Sequence, residues 1–236
     1  MSMLSDLLSM ALQNATLLDP SKDGKWVDPL TGVANRFYFQ QRFENEIRRT
    51  ENYRQAMALF MFDIDEFKKI NDTHGHYAGD VVIKKLAELV KKNTRSSDLV
   101  GRYGGDEFLV LITSTTEDQA LSFTEHLRKK ISTTEIAIPG TEVPVRITIS
   151  GGLAIFPTHG QSTIELFRAA DDALYESKRQ GRNRVLLATS VGLDGGIAKG
   201  TDADRETPIT TDNSVDTAGS DAAEFPLGKL GGDLNV

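Results

Sequence analysis

The sequence predicts an α/β (α+β) fold, in which helices pack against a central mixed sheet. Residues 56–63 form a short apolar run of the kind found in buried strands, and several longer segments have apolar residues at helical spacing. Segments of the two kinds alternate along the chain, and one Gly-Gly hairpin is inserted among them. This order is typical of a mixed sheet covered by helices.

The first half of the predicted domain begins with a helix over residues 35–52. The apolar run at 56–63 (AMALFMFD) predicts a strand buried on both faces. Apolar residues at helical spacing predict a second helix over residues 78–93. Residues 99–112 then predict two strands joined by a Gly-Gly turn.

The second half begins with a helix over residues 116–133, which has acids in its first turn and basic residues in its last, as the helix dipole favours. Residues 145–156 predict a strand run that Gly151-Gly152 interrupts. Residues 164–180 predict a helix that the following glycine ends. Residues 185–187 complete the pattern as a last strand.

Two segments flank this domain, which we place at residues 28–188. Residues 1–27 predict a helix, from leucines and alanines at helical spacing up to an Asp-Pro pair, followed by a polar connector. Residues 189–236 have one aromatic side chain, many glycines, and nine acids against three bases, so they carry −6 of the net charge of −7. Such a segment buries too little surface to offset the entropy of ordering, and we predict a disordered acidic tail.

Composition excludes several classes of function. The sequence has no cysteine, which rules out disulfides, a thiolate nucleophile and cysteine metal sites. Residues 1–188 carry a net charge of only −1, so charge suggests neither a nucleic-acid nor a membrane partner. No apolar run approaches the length of a membrane span and no secretory signal is recognisable, so we expect a cytoplasmic protein.

The densest group of functional residues is the run RYGGDEF at 102–108, between two apolar strands. Two glycines at a hairpin tip allow positive φ and let a ligand approach the backbone closely. The acids Asp106 and Glu107 follow at once, although a plain hairpin does not need them. An ordinary Gly-Gly turn with solvated carboxylates would have the same sequence, so both interpretations stay open for this run alone.

A second acidic group, Asp63 and Asp65, lies at the end of the first apolar run. Residues two apart in a strand share a face, so the two carboxylates should point the same way. Carboxylates at the end of a buried strand are costly without a cation, and Mg²⁺ prefers such oxygen ligands. The alternative is that an acid caps the following helix, which suits Asp65 better than Asp63.

Four motifs in residues 28–187 resemble those of the GGDEF family of diguanylate cyclases. Residues 104–108 spell GGDEF, and the similar motifs are 28–36 (DPLTGVANR), 63–80 (DIDEFKKINDTHGHYAGD) and 172–185 (DALYESKRQGRNRV). Val33 and Ser177 depart from the usual leucine and alanine. The resemblance implies a fold like the palm of nucleotidyl cyclases and some polymerases: a five-stranded mixed sheet, surrounded by helices, with the GGDEF hairpin embedded in it.

The resemblance also implies a metal centre. Asp63, the Ile64 carbonyl, Asp106 and Glu107 would hold Mg²⁺, or Mn²⁺ in its place, with two ions in each active site. Two ions in one site can clamp both the attacking and the leaving oxygen of a phosphoryl displacement. Asp106 and Glu107 would in addition be catalytic, and we hypothesise that one of them is the base for the attacking hydroxyl.

The resemblance further implies a GTP site. Asn71 and Asp80 would recognise guanine, since a carboxylate accepts two hydrogen bonds from the N1–H and N2–H₂ edge, which adenine lacks. The residues implied to contact the triphosphate are Lys68, Gly105, Lys178 and Arg182. Without the resemblance, Asn71 and Asp80 would be taken as turn and N-cap residues, and the cations as a solvated helix end. Lys178 and Arg182 are four residues apart and could share a helix face.

Arg95 and Asp98 form an R-x-x-D motif, which five residues separate from Gly104. Family members with this motif at this register commonly bind their own product there and are inhibited by it. Arginine suits that task because its planar group pairs with phosphate and stacks on guanine. The alternative is a local Arg–Asp contact at a helix end.

The sequence therefore predicts a Mg²⁺-dependent diguanylate cyclase that condenses two GTP into cyclic di-GMP and two pyrophosphates. A homodimer with one GTP per subunit is the simplest arrangement for a two-fold symmetric product, and cyclic di-GMP would be the feedback ligand. The alternative is a catalytically silent domain that acts as a receptor for GTP or cyclic di-GMP. The presence of Asp63, Asp106 and Glu107 disfavours it. The N-terminal helix either pairs two subunits or packs on its own domain.

Overall fold

The computed structural model describes residues 26–53, 56–141 and 144–189. Two predictions, the N-terminal helix and the disordered acidic tail, concern segments outside the described residues and stay predictions. The elements in chain order are α1 (Arg36–Tyr53), β1 (Met57–Ile64), α2 (Phe67–His74), α3 (His76–Asn93), β2 (Leu99–Arg102), β3 (Glu107–Ile112), α4 (Glu117–Thr133), β4 (Glu135–Ile136), β5 (Val145–Arg146), β6 (Ile149–Phe156), α5 (Thr163–Arg179) and β7 (Val185–Leu187).

The main sheet has five strands in the order β2-β3-β1-β6-β7. The first three pairings are antiparallel, whereas β6 and β7 run parallel, so the sheet is mixed, as predicted. The short strands β4 and β5 form a separate two-stranded sheet. Strand β1 is central, and all eight of its residues are buried, which explains its almost continuous apolar sequence.

Both faces of the main sheet are covered. On one face, the side chains of Leu59 and Met61 pack with residues of α1 and α5, such as Phe43 and Leu166. On the other face, Phe60 and its neighbours pack with residues of α3 and α4. Because successive residues of a strand point to opposite faces, Asp63 belongs with Leu59 and Met61, on the side of α1 and α5.

One sequence prediction about secondary structure is wrong. Gly151-Gly152 does not interrupt a strand, because β6 continues through both residues and the break falls at residues 147–148. The glycines serve packing, since a Cβ on Gly152 would run into the α5 backbone at Ala170 and Leu174. The helix predicted over 78–93 is present, with the predicted end and a start two residues earlier, at His76, after the N-cap Gly75.

Helix α2 and the β4–β5 pair were absent from the sequence prediction. Helix α2 has eight residues, and only Phe67 and Ile70 of it are hydrophobic side chains that pack against the core, a pattern too short to predict a helix. None of the helices in the described part of the chain combines the length and the apolar character needed to span a bilayer.

Candidate functional site

The two acidic groups of the sequence meet at one end of the central strands. Asp63, the penultimate residue of β1, is the antiparallel partner of Glu107, the first residue of β3. On its other side Asp63 is opposite Ser150 of β6. The loop at residues 103–106, which joins β2 to β3, places Asp106 beside this pair.

Asp63 is a buried carboxylate, only 6% exposed. One oxygen, Oδ2, forms an ion pair with Nζ of Lys178 in the last turn of α5, whereas Oδ1 is buried and has no hydrogen-bond partner. Burial raises the pKa of Asp63 to about 6, the hydrogen bond and charge of Lys178 oppose this rise, and the charges of Asp106 and Asp65 add to it. Burial and the neighbouring acids therefore outweigh the compensation that Lys178 supplies.

Glu107 has a similar environment. Burial raises the pKa of Glu107 above its ordinary value, the neighbouring charge of Asp106 raises it further, and Lys178 lowers it. In the described residues no three carboxylate or imidazole side chains form a ready-made metal cluster. An unpartnered buried carboxylate oxygen beside two further acids is nevertheless the donor chemistry that Mg²⁺ prefers. The residues present therefore fit a hard divalent cation.

The GGDEF loop differs from its sequence prediction. Neither Gly104 nor Gly105 has a positive φ, and the connection is a four-residue loop rather than a two-residue turn. A Cβ on Gly104 would lie 2.7 Å from Oε2 of Glu107, so glycine is needed there for the position of that carboxylate. A Cβ on Gly105 would meet nothing within 4 Å, and this residue is exposed.

Arg102 holds this loop in place. Its Nη2 and Nε donate to the Gly105 carbonyl, at 2.7 and 3.1 Å, and its Nη1 lies 3.2 Å from both oxygens of Asp28. Asp28 also accepts bonds from the backbone N and the hydroxyl of Thr31. Burial would raise the pKa of Asp28, but the bonds from Thr31 and the charge of Arg102 outweigh it and hold that pKa below its ordinary value.

Asp65 does not cap the following helix, so that interpretation is wrong. The residue before α2 is Glu66, whose side chain makes no cap bond. The Asp65 carboxylate instead accepts from the hydroxyls of Thr148 and Ser150, at 2.6 and 2.5 Å, and from the backbone N of Asn183 at 3.0 Å. It therefore joins the end of β1 to the start of β6 and to the turn after α5.

Asn71 and Asp80 lie on the helical hairpin of α2 and α3. Asn71 Oδ1 is buried without a hydrogen-bond partner, and it packs so closely on Gly79 that a Cβ there would collide with it. Asp80 lies inside α3 and is exposed, so it is not an N-cap residue. Lys68, on α2, is also exposed. The hairpin thus holds one amide acceptor without a donor.

Lys178 and Arg182 do not share a helix face, contrary to the prediction. Helix α5 ends at Arg179, and Gly181 has a φ of 108°, which turns the chain away from the helix. Arg182 lies in this turn with a φ of 61° and is exposed. Of these two cations, Lys178 forms an ion pair with Asp63.

Arg95 and Asp98 have different environments. The Asp98 carboxylate accepts from the backbone N of Arg95 at 3.1 Å and of Thr113 at 3.2 Å, and so stabilises the chain before β2. The Arg95 side chain lines an open groove of about 480 Å³ with residues of α4. These residues are Asp118, Gln119, Ser122, Phe123 and His126. The local Arg–Asp contact is present, but it involves the arginine backbone.

Sequence reasoning gave no role to four residues in this region: Asp28, Arg102, Arg128 and Asn183. The spacing of Asp28 and Thr31 is typical of a side-chain-stabilised turn and could have been noticed. The contact between Arg102 and Asp28 spans 74 residues, and nothing local in the sequence marks it.

Comparison with known proteins identifies close relatives of the described region. The profile of the family "Diguanylate cyclase, GGDEF domain" matches residues 25–184. Diguanylate cyclase A of Treponema denticola is 34% identical over 188 residues, which cover 78% of this chain and 49% of that protein. Diguanylate cyclase DosC of Escherichia coli K12 is 37% identical over 161 residues, 68% of this chain and 35% of that protein. The chain thus spans half or less of the length of these relatives.

A solved structure shows the same fold. The GGDEF domain of DgcB from Caulobacter crescentus, in complex with c-di-GMP, superposes with a TM-score of 0.67 at 32% identity. The match covers 70% of this chain and 97% of that domain. The active GGEEF domain of a diguanylate cyclase from Vibrio cholerae superposes with a TM-score of 0.62 at 29% identity, over 67% of this chain and 99% of that one.

Proposed function

Because this chain belongs to the GGDEF family of diguanylate cyclase domains, we propose that it condenses two GTP molecules into cyclic di-GMP and two pyrophosphates. The observation that carries the proposal is the meeting of Asp63 with Glu107 across two neighbouring strands, with one buried Asp63 oxygen left without a hydrogen bond. A purely structural carboxylate pair would be expected to have its hydrogen bonds satisfied. The reaction consumes GTP, so we place it in the cytoplasm.

Asp63, the Ile64 carbonyl, Asp106 and Glu107 are the residues that would hold Mg²⁺, or Mn²⁺, with two ions in each active site. The bound ions would neutralise charge on the phosphates and on the oxygens that gain charge during the reaction. The raised pKa of Asp63 supports this assignment, since it reflects a buried carboxylate whose desolvation Lys178 offsets only in part.

GTP would be bound from two sides. On the α2–α3 hairpin, Asn71 Oδ1 is an acceptor without a donor, and Asp80 is an exposed carboxylate close by in sequence. Guanine carries donors at N1 and N2 that match such acceptors, whereas adenine lacks N2–H₂. At the other end, Lys68, Lys178 and Arg182 would compensate the triphosphate charge. The open space beside Gly105 leaves room for the phosphates to approach the loop.

The reaction joins the two nucleotides twice. Each ribose 3′-oxygen attacks the α-phosphorus of the other GTP, the bond from that phosphorus to the bridging oxygen breaks, and pyrophosphate leaves. The 3′-hydroxyl proton passes to a carboxylate, for which Asp106 and Glu107 are the candidates. A homodimer with one GTP on each subunit places the two nucleotides against each other, and positioning then supplies much of the rate enhancement.

We also propose feedback by the product at Arg95. Its side chain lines the groove beside α4, where a guanidinium can pair with a phosphate of cyclic di-GMP. Asp98 would act by fixing the backbone of Arg95, to which its carboxylate is bonded. The c-di-GMP complex of the DgcB domain supports the ligand class for this fold.

Chromatography of the products formed from GTP and Mg²⁺ tests the activity. The purified chain is first stripped of bound nucleotide, because product held at Arg95 would mask turnover. Cyclic di-GMP that is formed by the wild type and not by Asp63→Ala is the expected result. Binding of GTP or cyclic di-GMP without any product would overturn the cyclase and favour a receptor. Light scattering with and without GTP tests the homodimer.

A further inference from the structure

The turn after α5 has a backbone that its residues do not favour. Gly181, Arg182 and Asn183 have φ values of 108°, 61° and 46°. Glycine tolerates this region, but a side chain such as that of Arg182 is costly there. Two successive non-glycine residues persist in such a conformation only where contacts from the surrounding structure fix them.

Three contacts with other elements fix this turn, in addition to the local bonds that the Arg182 backbone makes with Ser177 and Arg184. The backbone N of Asn183 donates to Oδ2 of Asp65 at 3.0 Å, and Oδ1 of Asn183 accepts from Nη1 of Arg128 at 2.5 Å. The carbonyl of Arg184 accepts from the backbone N of Gly151 at 2.9 Å. The contacts come from the end of β1, from α4 and from β6, so the turn is held from three elements.

Asp65 is itself held firmly. Its Oδ2 also accepts from the Thr148 hydroxyl, its Oδ1 accepts from the Ser150 hydroxyl, and its backbone N donates to the Thr148 carbonyl. Asp65 follows Asp63 by two residues, and Ser150 is the strand partner of Asp63. The position of the turn is therefore defined relative to the strand end that carries Asp63.

We propose that Asp65 is a positioning residue for the substrate: it fixes the left-handed turn that presents Arg182 to the triphosphate of GTP. Arg128 supports the same turn from α4 through the Asn183 side chain. The inference rests on the proposed function, in which Arg182 contacts the triphosphate. Asp65 touches no substrate and acts only through the turn.

A double-mutant cycle tests this, with Asp65→Asn, Arg182→Ala and both changes together. The amide keeps the shape of Asp65 but removes its charge, so the bond that it accepts from the Asn183 backbone N loses its charge-assisted strength. The readout is the Kd of the α,β-methylene analogue of GTP, which cannot be cyclised, with Mg²⁺ by calorimetry. We expect Asp65→Asn to weaken binding about fivefold in the wild type and less than about twofold in Arg182→Ala. An equal loss in both backgrounds would overturn the inference.

Kinetics give a second readout. Loss of a positioning contact on the substrate phosphates should raise KM for GTP more than it lowers kcat, whereas general loosening of the fold would lower kcat at unchanged KM. The matched control is Glu44→Gln, which removes an exposed carboxylate charge from α1 and should leave both constants unchanged. If Asp65→Asn lowers kcat alone, the inference is wrong and the proposed function stands.

Arg128→Met keeps the test decisive if Asp65→Asn does not fold. The Arg128 side chain is only 13% exposed and its other partner is Glu125, but its removal leaves the Asp65 bonds intact. Arg128→Met should weaken binding of the GTP analogue in the wild type but not in the Arg182→Ala background. A loss of affinity that persists in that background would contradict the inference. A wild type that binds no GTP at all would refute the proposed function itself, a separate outcome.

Discussion

Nζ of Lys178 forms an ion pair with Oδ2 of Asp63, while Oδ1 of the same carboxylate has no hydrogen-bond partner. Lys178 supplies positive charge at the position where the proposed site would place a metal ion. Since a divalent cation and the ammonium compensate the same carboxylate, we expect them to compete, and the lysine to become available to the phosphates when the cation binds.

Lys178→Met tests this competition. We expect Mn²⁺ to bind the nucleotide-free variant roughly tenfold more tightly than the wild type at pH 8, because the competing ammonium is gone. A tenfold change in affinity is the same change in free energy as a pKa shift of about one unit. We expect the GTP analogue to bind more weakly, because a phosphate partner is lost. Electron paramagnetic resonance of free Mn²⁺ measures the first effect. Unchanged Mn²⁺ affinity would show that Lys178 does not compete.

Asp63→Asn tests the buried charge through stability. The pKa of Asp63 is raised to about 6 in the folded state, so the folded state holds the proton more tightly than the unfolded state. Its contribution to stability is therefore largest at low pH and is lost as pH rises through 6. In metal-free buffer the free energy of unfolding of the wild type should fall by about 1 kcal/mol more than that of Asp63→Asn between pH 5 and 7. Urea unfolding measures this difference, and parallel profiles would contradict the assignment.

Arg102→Gln tests the hydrogen bonds by which Arg102 connects Asp28 to the Gly105 carbonyl in the loop at residues 103–106. Arg102 and Asp28 are mostly buried, with side-chain exposures of 16% and 17%, so loss of the guanidinium leaves a carboxylate and a carbonyl short of donors. We expect a loss of about 1–3 kcal/mol in stability, with a lower kcat. Arg179→Gln is the control, because its ion pair with Glu176 is exposed and should matter little. Equal melting temperatures for the two variants would show that the Arg102 contacts do not contribute to stability.

Gly104→Ala and Gly105→Ala separate the position of the Glu107 carboxylate from the contact of the loop with substrate. A Cβ at Gly104 meets the Glu107 carboxylate, whereas one at Gly105 meets no protein atom. We expect Gly104→Ala to lower kcat at a nearly unchanged melting temperature, because the flexible end of Glu107 must shift, and Gly105→Ala to keep the melting temperature but raise KM for GTP. Calorimetric melting and initial rates measure the two effects. A Gly105→Ala protein with wild-type KM would remove this residue from the proposed GTP site.

Arg95→Ala tests the feedback site. The variant should keep its initial rate but show inhibition by cyclic di-GMP only at roughly tenfold higher concentration, as expected for the loss of a charged contact with phosphate. Asp98→Ala should also lower stability, because the Asp98 carboxylate bonds the backbones of Arg95 and Thr113. Progress curves with added product measure the inhibition. Unchanged inhibition in Arg95→Ala would place the product elsewhere.

Apolar runs and helical periodicity in the sequence were sufficient to predict most of the fold. Strand β1 and helices α1, α4 and α5 lie within one or two residues of their predicted bounds, because long apolar runs and helical periodicity are written in consecutive residues. Helix α2 is not predicted because it has only eight residues, of which Phe67 and Ile70 pack against the core, too few to show a helical period. Gly151-Gly152 was misjudged because the reason for a glycine there is the α5 backbone, which is distant in sequence.

By itself the sequence determined the mixed sheet, the family and the acids that could form a metal site, since each is carried by a contiguous motif or a local periodicity. Tertiary structure alone decided which charges compensate one another. Asp63 is paired with Lys178, Asp28 with Arg102 and Asp65 with the turn at Asn183, across separations of 74 residues or more. Burial decides how strongly each pair matters, because a carboxylate removed from water needs a donor or a cation, and only the folded chain brings one to it.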